Sequence, residues 1–219
     1  MEDFLVNRVG TLCFFTLVAL LSGCVTGTRI VDLAPPDYPD SAKAMGGVYI
    51  GEIVDNRTFE QKPRKPSTPS VTGTLSETPA ATLATLIGRQ RNGYGKAMGD
   101  VALPAGSTVA RETRDLLSEG LRSRGYILTD KEDATVKIDV SVNRFWGWFT
   151  PGMWVVSFET QIGTTLDIST SSGDQKLDIE GYGINRGQVA SDANWRLAFD
   201  RGFADYLEKL DAALDKAGL

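Results

Sequence analysis

The alternation of apolar and polar residues over positions 134–143 constrains the fold of this chain most strongly. Successive side chains of a β-strand point to opposite faces of a sheet, so strict alternation predicts a strand with one buried face. The apolar positions here are Val136, Ile138, Val140 and Val142. Residues 156–168 repeat the pattern, and residues 177–183 continue it after a Ser-Ser-Gly-Asp turn at 171–174. The sequence therefore predicts three antiparallel strands joined by turns.

Two amphipathic segments predict helices that cover this sheet. The first begins near Ser107 or Thr108 and stops at Gly125, and the second begins at Ser191, a favourable N-cap residue. A further strand is predicted at 47–54. The simplest way to bury these apolar faces is an α+β two-layer sandwich. We expect two helices on one face of a mainly antiparallel sheet of four or five strands, in a single domain over residues 47–219.

A long irregular insertion is expected within this domain, because residues 60–106 are rich in proline, glycine, serine and threonine. A short helix after Pro79 is its main predicted element. The insertion is basic, whereas the whole chain has a formal net charge of −5. It either contacts an anionic surface or is a solvated loop over the open face of the sheet. The candidate residues for anionic contact are Lys62, Arg64, Lys65, Arg89, Arg91 and Lys96.

The N-terminus is typical of a bacterial export signal. Residues 9–21 are uncharged and largely apolar, but they fall short of the roughly 20 apolar residues that a spanning helix needs. The run ends in Leu21, Ser22, Gly23 and Cys24, which resembles a lipobox. In this interpretation residues 1–23 are a removed signal peptide and Cys24 carries a diacylglyceryl group. The alternative is an ordinary signal peptide or membrane anchor with Cys24 incidental. Residues 24–46, with three prolines, are interpreted as a lipidated tether.

The composition excludes several classes of chemistry. The chain has no histidine and two cysteines, which rules out Ser-His-Asp and Cys-His nucleophile systems and histidine-ligated zinc or haem. Its acidic balance argues against nucleic-acid binding. Since no motif points to a reaction, the sequence predicts a non-enzymatic protein with no cofactor, no bound metal and no catalytic residue.

An aromatic cluster is the most distinctive remaining feature. Residues 144–154 are predicted to form an aromatic turn between two strands. Its side chains either pack in the core or contact a partner or membrane, since tryptophan is common both in interiors and at binding hot spots. The residues proposed for contact are Phe145, Trp146, Trp148, Phe149 and Trp154.

The lipobox, the Arg-Gly-Tyr sequence at 124–126, the strand VKIDVSV and the amphipathic last helix together resemble the YajG-type family of small bacterial lipoproteins. The resemblance to LptE-type and PqiC-type auxiliary lipoproteins is more distant and concerns the architecture. The resemblance implies an outer-membrane protein that faces the periplasm and has no known catalysis. Val25, in place of an aspartate after the modified cysteine, implies sorting to the outer membrane.

These observations predict a lipid-anchored structural or adaptor module of the cell envelope, with the membrane and an unidentified envelope protein as its partners. The alternative is an accessory subunit of an envelope transport or assembly machine that handles lipid, lipopolysaccharide or glycan.

Overall fold

The computed structural model of the protein describes residues 27–92, 96–150, 152, 155–187 and 191–219. These residues form eight strands and three α-helices. The strands are β1 (Arg29–Ile30), β2 (Gly46–Asp55), β3 (Leu86–Arg91), β4 (Ala97–Ala102), β5 (Tyr126–Leu128), β6 (Val136–Thr150), β7 (Val156–Thr170) and β8 (Gly173–Gly187). The helices are α1 (Ala80–Leu83), α2 (Val109–Ser123) and α3 (Asp192–Ala217).

Both long helices begin where their sequences predict. The side chain of Thr108 accepts a hydrogen bond from the backbone N–H of Arg111, and that of Ser191 accepts one from Asn194. These N-caps satisfy backbone donors that have no partner within the helix. The short helix after Pro79 and the strand predicted at 47–54 are also confirmed as α1 and β2.

Strand β6 is the centre of the sheet, and its two edges are used differently. One edge pairs with β7 in antiparallel orientation along its whole length, and β7 pairs likewise with β8. The other edge is divided between two parallel partners. Its first half pairs with β2, and its second half pairs with β3. Beyond these partners lie β5 next to β2, and β4 and then β1 next to β3.

The predicted fold class is therefore wrong. The sheet has eight strands and mixed orientation, not four or five mainly antiparallel strands, and the fold has a third α-helix, the short α1, besides the two long ones. The residues expected to form an irregular insertion supply β3 and β4. Strand β3 shows no alternation of buried and exposed residues, because its residues from Leu86 to Gln90 are all buried. A strand that is covered on both faces has no period-two signal in its sequence.

The predicted aromatic turn also has a different structure. Strand β6 continues through the aromatic residues to Thr150. A register shift between Val142 and Arg144 changes which positions face the main core, and beyond it apolar residues cover both faces of the strand, so the alternation is lost from the sequence. A β-bulge inserts one residue into a strand, so the apolar positions change parity at that point.

The segment expected to be a tether packs on the domain from residue 29 onward. Val31 and Leu33 are buried, with 1% and 7% exposure. Arg29 pairs with Asp192 at the start of α3, and the side chain of Arg196 donates to the backbone oxygen of Asp32. This segment is therefore part of the folded structure.

The core lies on both faces of the sheet. The main cluster is packed between the sheet and helices α2 and α3, and it includes Phe145, Phe158, Trp195 and Phe199. A smaller cluster lies on the opposite face, which we call the outer face. It contains Val71, Leu86, Ala102, Trp146 and Trp148, and partly buried residues from the segment 59–83 pack against it. Among the residues described, none of the helices is both apolar enough and long enough to span a bilayer.

Candidate functional site

A groove on the outer face is the candidate functional site. It has a volume of about 500 Å³ and lies between the segment 58–69 and strands β6 and β7. Its walls are mainly polar, and its lining includes Thr58, Glu60, Lys65, Asn143, Arg144, Trp146 and Gln161. Ordinary ligand pockets are mostly apolar with a few polar groups. The lining of this groove instead suits a small polar ligand that offers many hydrogen-bonding groups.

Trp146 fixes the segment that forms one wall of the groove. Its Nε1 donates a hydrogen bond to the backbone oxygen of Pro66 at 3.2 Å. The ring of Phe59 packs against it edge to face, with ring centroids 5.9 Å apart. Trp146 is only 2% exposed, so it lies beneath the groove, packs against the wall segment and offers little ring surface to a ligand.

Arg57 fixes the base of the same segment. Its Nη1 donates to the backbone oxygens of Leu86, at 2.6 Å, and Phe145, at 3.0 Å. Its Nη2 donates to the backbone oxygen of Leu83 and to Asp55, and its Nε also donates to Asp55. All five guanidinium donors are therefore used, and the side chain has no exposed surface.

An ion pair links strands β3 and β4. The guanidinium of Arg89 is 3.5 Å from Asp100, whose carboxylate also accepts two hydrogen bonds from the backbone N–H of Thr72. Burial lowers the pKa of Arg89, although Asp100 acts in the opposite direction. Its Nε and Nη1 have no hydrogen-bond partner. Asp100 thus ties the backbone at Thr72, three residues beyond the segment 58–69, to the sheet as well as pairing with Arg89.

A tyrosine–glutamate pair completes the polar chemistry of this face. The hydroxyl of Tyr182 donates to Glu159 at 2.7 Å, and Thr150 donates to the other carboxylate oxygen at 2.8 Å. Burial and this hydrogen bond raise the pKa of Tyr182 to about 12. Tyr182 is therefore a neutral hydrogen-bond donor at physiological pH, and its ring lies 6.4 Å from that of Trp148.

The predicted aromatic residues lie on both faces of the sheet. Phe145 and Phe149 belong to the main core, whereas Trp146 and Trp148 belong to the cluster on the outer face. All four are less than 9% exposed. Trp154 lies outside the described residues. The described aromatic residues are packed against the protein's own segments, and their role in contact with a partner stays a prediction.

We expect Trp148→Ala to lower the free energy of unfolding by about 3 kcal/mol, since it removes a large buried side chain and leaves a cavity. Urea-induced unfolding measures this effect. Ile127→Ala is the control, because Ile127 is 63% exposed and its truncation should change the stability by less than about 0.5 kcal/mol. An unchanged unfolding midpoint combined with weaker membrane binding would instead identify Trp148 as a contact residue.

The six predicted basic residues do not form one loop. Lys62, Arg64 and Lys65 are exposed in the wall segment, and Lys96 is exposed before β4. Arg89 and Arg91 lie on strand β3, where burial lowers the pKa of each. Of the six, only Lys65 lines the groove.

A second groove, which the sequence did not indicate, lies between helices α2 and α3. It has a volume of about 550 Å³ and is lined in part by Tyr38, Gly120 and Leu207. Gly120 allows the helices to approach closely, because a Cβ at this position would lie 2.8 Å from the side chain of Leu207. Across the described ranges, no group of three or more acidic or cysteine side chains is arranged to hold a metal ion.

No family model and no curated protein matches the chain. Among solved structures, a Xanthomonas campestris protein of the DUF330 family matches with 10% sequence identity and a TM-score of 0.44, over 88% of this chain and 99% of that one. An uncharacterized protein has the same identity and TM-score, over 87% and 98%. A Helicobacter pylori protein, described as a homolog of a neuraminyllactose-binding hemagglutinin, has 10% identity and a TM-score of 0.31, over 83% and 92%. These similarities are too low to carry a conclusion about function.

Proposed function

We propose that this protein is a lipid-anchored lipoprotein on the periplasmic face of the outer membrane, where it is a non-enzymatic structural or adaptor module of the cell envelope. The observation that carries the proposal is the sequence Leu21-Ser22-Gly23-Cys24 at the end of an apolar run. The proposed lipidation site lies outside the described residues. Membership of the YajG-type family is part of this proposal and rests on the sequence resemblance alone.

The length of the anchor supports a function close to the membrane. The first strand begins at Arg29, five residues after Cys24. An extended chain spans at most about 3.6 Å per residue, so the sheet begins within about 18 Å of the lipidated residue. A bilayer-attached domain with so short a connection is suited to contacts within the membrane-proximal layer of the envelope.

The proposal predicts that Cys24→Ala abolishes incorporation of radiolabelled palmitate and releases the protein from the membrane fraction. Cys13→Ala is the matched control, because Cys13 is the only other cysteine and would leave with the signal peptide. This control should be labelled like the wild type. Labelling that persists in Cys24→Ala would contradict the proposal. Density-gradient separation should place the wild type with the outer membrane, and recovery with the inner membrane would contradict the proposed location.

A second candidate function is an accessory subunit of an envelope machine that handles glycan. The groove on the outer face favours this over the handling of acyl chains, because amide and charged side chains such as Asn143, Arg144 and Gln161 line it. A volume of about 500 Å³ is within the range for small-molecule pockets.

Titration with soluble peptidoglycan fragments tests this second function. We expect saturable binding that Gln161→Ala weakens by about tenfold, which corresponds to the loss of about 1.4 kcal/mol. Lys137→Ala is the control, because Lys137 lies near the start of β6, before the first residue of that strand that lines the groove. Equal binding by both variants, or no saturation, would argue against a glycan subunit.

A further inference from the structure

We infer that the end of the sheet where β6 finishes lies against the bilayer, and that its exposed basic side chains contact anionic lipid headgroups. This inference rests on the proposed lipidation of Cys24. It goes further by assigning the membrane-facing end of the domain and the chemistry of its contact.

Several elements meet at this end, which we call the anchor end. Strand β6 finishes there at Thr150, and its antiparallel neighbour β7 begins there at Val156. Strand β8 finishes at Gly187, opposite Val156, and α3 begins soon after at Asp192. Strand β3 runs parallel to β6, so its last residues are also at this end.

The first described residues are at the same end. The backbone oxygen of Gly27 accepts a hydrogen bond from the side chain of Gln90 at 3.1 Å. The side chain of Arg29 donates to Gln90 at 3.3 Å and pairs with Asp192. The chain therefore enters the fold at the anchor end, and from there the segment 31–45 leads to the start of β2 at the opposite end.

The remaining length of chain is too short to hold this end away from a bilayer. Whatever its conformation, the chain between Gly27 and Cys24 spans at most about 11 Å. Gly27 lies beside Gly99, since a Cβ on Gly99 would overlap the backbone of Gly27. Strand β4 extends from Gly99 to Ala97, and Lys96 precedes it. At about 3.3 Å per residue this is some 10 Å farther toward the anchor end, which is about the greatest distance that three residues of chain can span from Gly27.

The charges at the two ends of the sheet complement this orientation. Among the described residues, we count the two outermost positions of each element at the anchor end and the position just beyond. They carry one acidic residue, Asp192, and four basic ones, which are Arg29, Arg91, Lys96 and Arg186. Arg29 pairs with Asp192 and Arg91 is partly buried, so Lys96 and Arg186 are the exposed basic residues that can reach headgroups. The opposite end is closer to neutral. Counted in the same way, together with the turn between β5 and β6, it carries five basic residues, which are Arg122, Arg124, Lys131, Lys137 and Lys216, and four acidic ones, which are Asp130, Glu132, Asp133 and Asp174. Basic residues within a Debye length of an anionic membrane surface are attracted to it, and acidic residues are repelled.

Apolar side chains are exposed at the anchor end as well. Val155, next to β7, and Leu197, in the second turn of α3, are each 44% exposed. Ile127 and Leu128, which pair with the start of β2, are exposed too, so exposed apolar residues occur at both ends of the sheet. Basic side chains beside exposed apolar ones are suited to the boundary between headgroups and acyl chains. A bilayer with anionic headgroups satisfies both features.

Site-specific labelling tests the orientation. The mature lipoprotein has a single cysteine, Cys24, whose sulfur is used by the lipid, so an introduced cysteine can be labelled selectively. The lipidated mature form of Val155→Cys is labelled at the new cysteine with an environment-sensitive fluorophore. It is then incorporated into vesicles that contain phosphatidylglycerol and lipids with a nitroxide quencher on the headgroup. Ser172→Cys, in the hairpin at the opposite end, is the matched control. We expect at least threefold stronger quenching at position 155 than at position 172. If the protein floats with the vesicles but quenching at position 172 equals or exceeds quenching at position 155, the inferred orientation is wrong, whereas the proposed lipidation is not affected.

The same label tests the charge contact. Quenching at position 155 should decrease by at least twofold in vesicles of phosphatidylcholine alone, and Arg186→Glu should decrease it in the anionic vesicles. Lys176→Glu, on the same strand but near its other end, should leave it unchanged. Quenching that is independent of vesicle charge overturns the contact with anionic headgroups. Wild-type protein that fails to float with vesicles overturns the proposed lipidation itself, and the inference with it.

Discussion

Replacing Arg57 with alanine is expected to lower the free energy of unfolding by about 3–5 kcal/mol, the usual cost of removing one partner of a buried ion pair. The reason lies in the divided edge of β6. Pairing with β2 ends at Asp55 opposite Val142, and pairing with β3 begins at Gly88 opposite Gly147. Between these points the guanidinium of Arg57 binds the backbone oxygen of Phe145. Arg57 thus joins the two strands that share one edge.

Urea-induced unfolding of wild type and variant measures this effect. Arg57→Lys should be intermediate, because an ammonium keeps the charge but cannot reproduce the paired bonds to Asp55. Arg64→Ala is the control, since Arg64 is an exposed arginine of the same segment and its loss should cost less than about 0.5 kcal/mol. If Arg57→Ala and Arg64→Ala unfold at the same urea concentration, the assigned role of Arg57 is wrong.

Gly183→Ala is expected to be comparably destabilising, at about 3 kcal/mol, the upper part of the range for overpacking a core. A Cβ at this position would overlap the backbone oxygen of Ala198 and the backbone nitrogen of Gly202 on α3. Neither is a flexible side-chain end, so the helix itself must move. At Gly181, two residues earlier, a Cβ would lie 2.5 Å from that of Tyr206. Helix α3 therefore packs directly on the backbone of β8.

Gly73→Ala separates this steric effect from backbone strain. Gly73 has a φ of +89°, and a Cβ added there would have no other atom within 4 Å. Alanine at this position should therefore lower the free energy of unfolding only by the roughly 1–2 kcal/mol that a left-handed backbone conformation costs. Thermal unfolding compares the two variants. A loss for Gly183→Ala that does not exceed the loss for Gly73→Ala would contradict the close packing of α3 on β8.

The parts of the fold that the sequence predicted share one property, which is a single well-buried face. In the strand segments 136–142 and 156–168 and in the two long helices, the other side is more exposed to water. Their period is therefore visible in the residues. Strand β3, buried on both faces, and strand β1, only two residues long, have no such period.

The candidate site was predicted only in part. The sequence singled out Trp146 and Lys65, and both line the groove. It did not indicate Asn143, Arg144 or Gln161 as groove residues, because polar residues on the outward positions of a strand are typical of an ordinary solvated face.

Arg57 was not indicated by the sequence at all. Its partners Leu86 and Phe145 are far away in the sequence. A lone arginine after a strand carries no local signal of burial, so only the folded structure reveals its role.

The sequence by itself determined the amphipathic strands and helices, and it alone supports the proposed export signal and the proposed lipidation at Cys24, because each depends on residues that are neighbours in the chain. Only the tertiary structure decided which strands share the edges of β6, which face the segment 58–69 covers, and that the chain enters the fold at the anchor end. Strand order, parallel pairing and the burial of a charged side chain depend on contacts between distant residues. Local periodicity does not contain this information, because many sheet orders bury the same apolar faces.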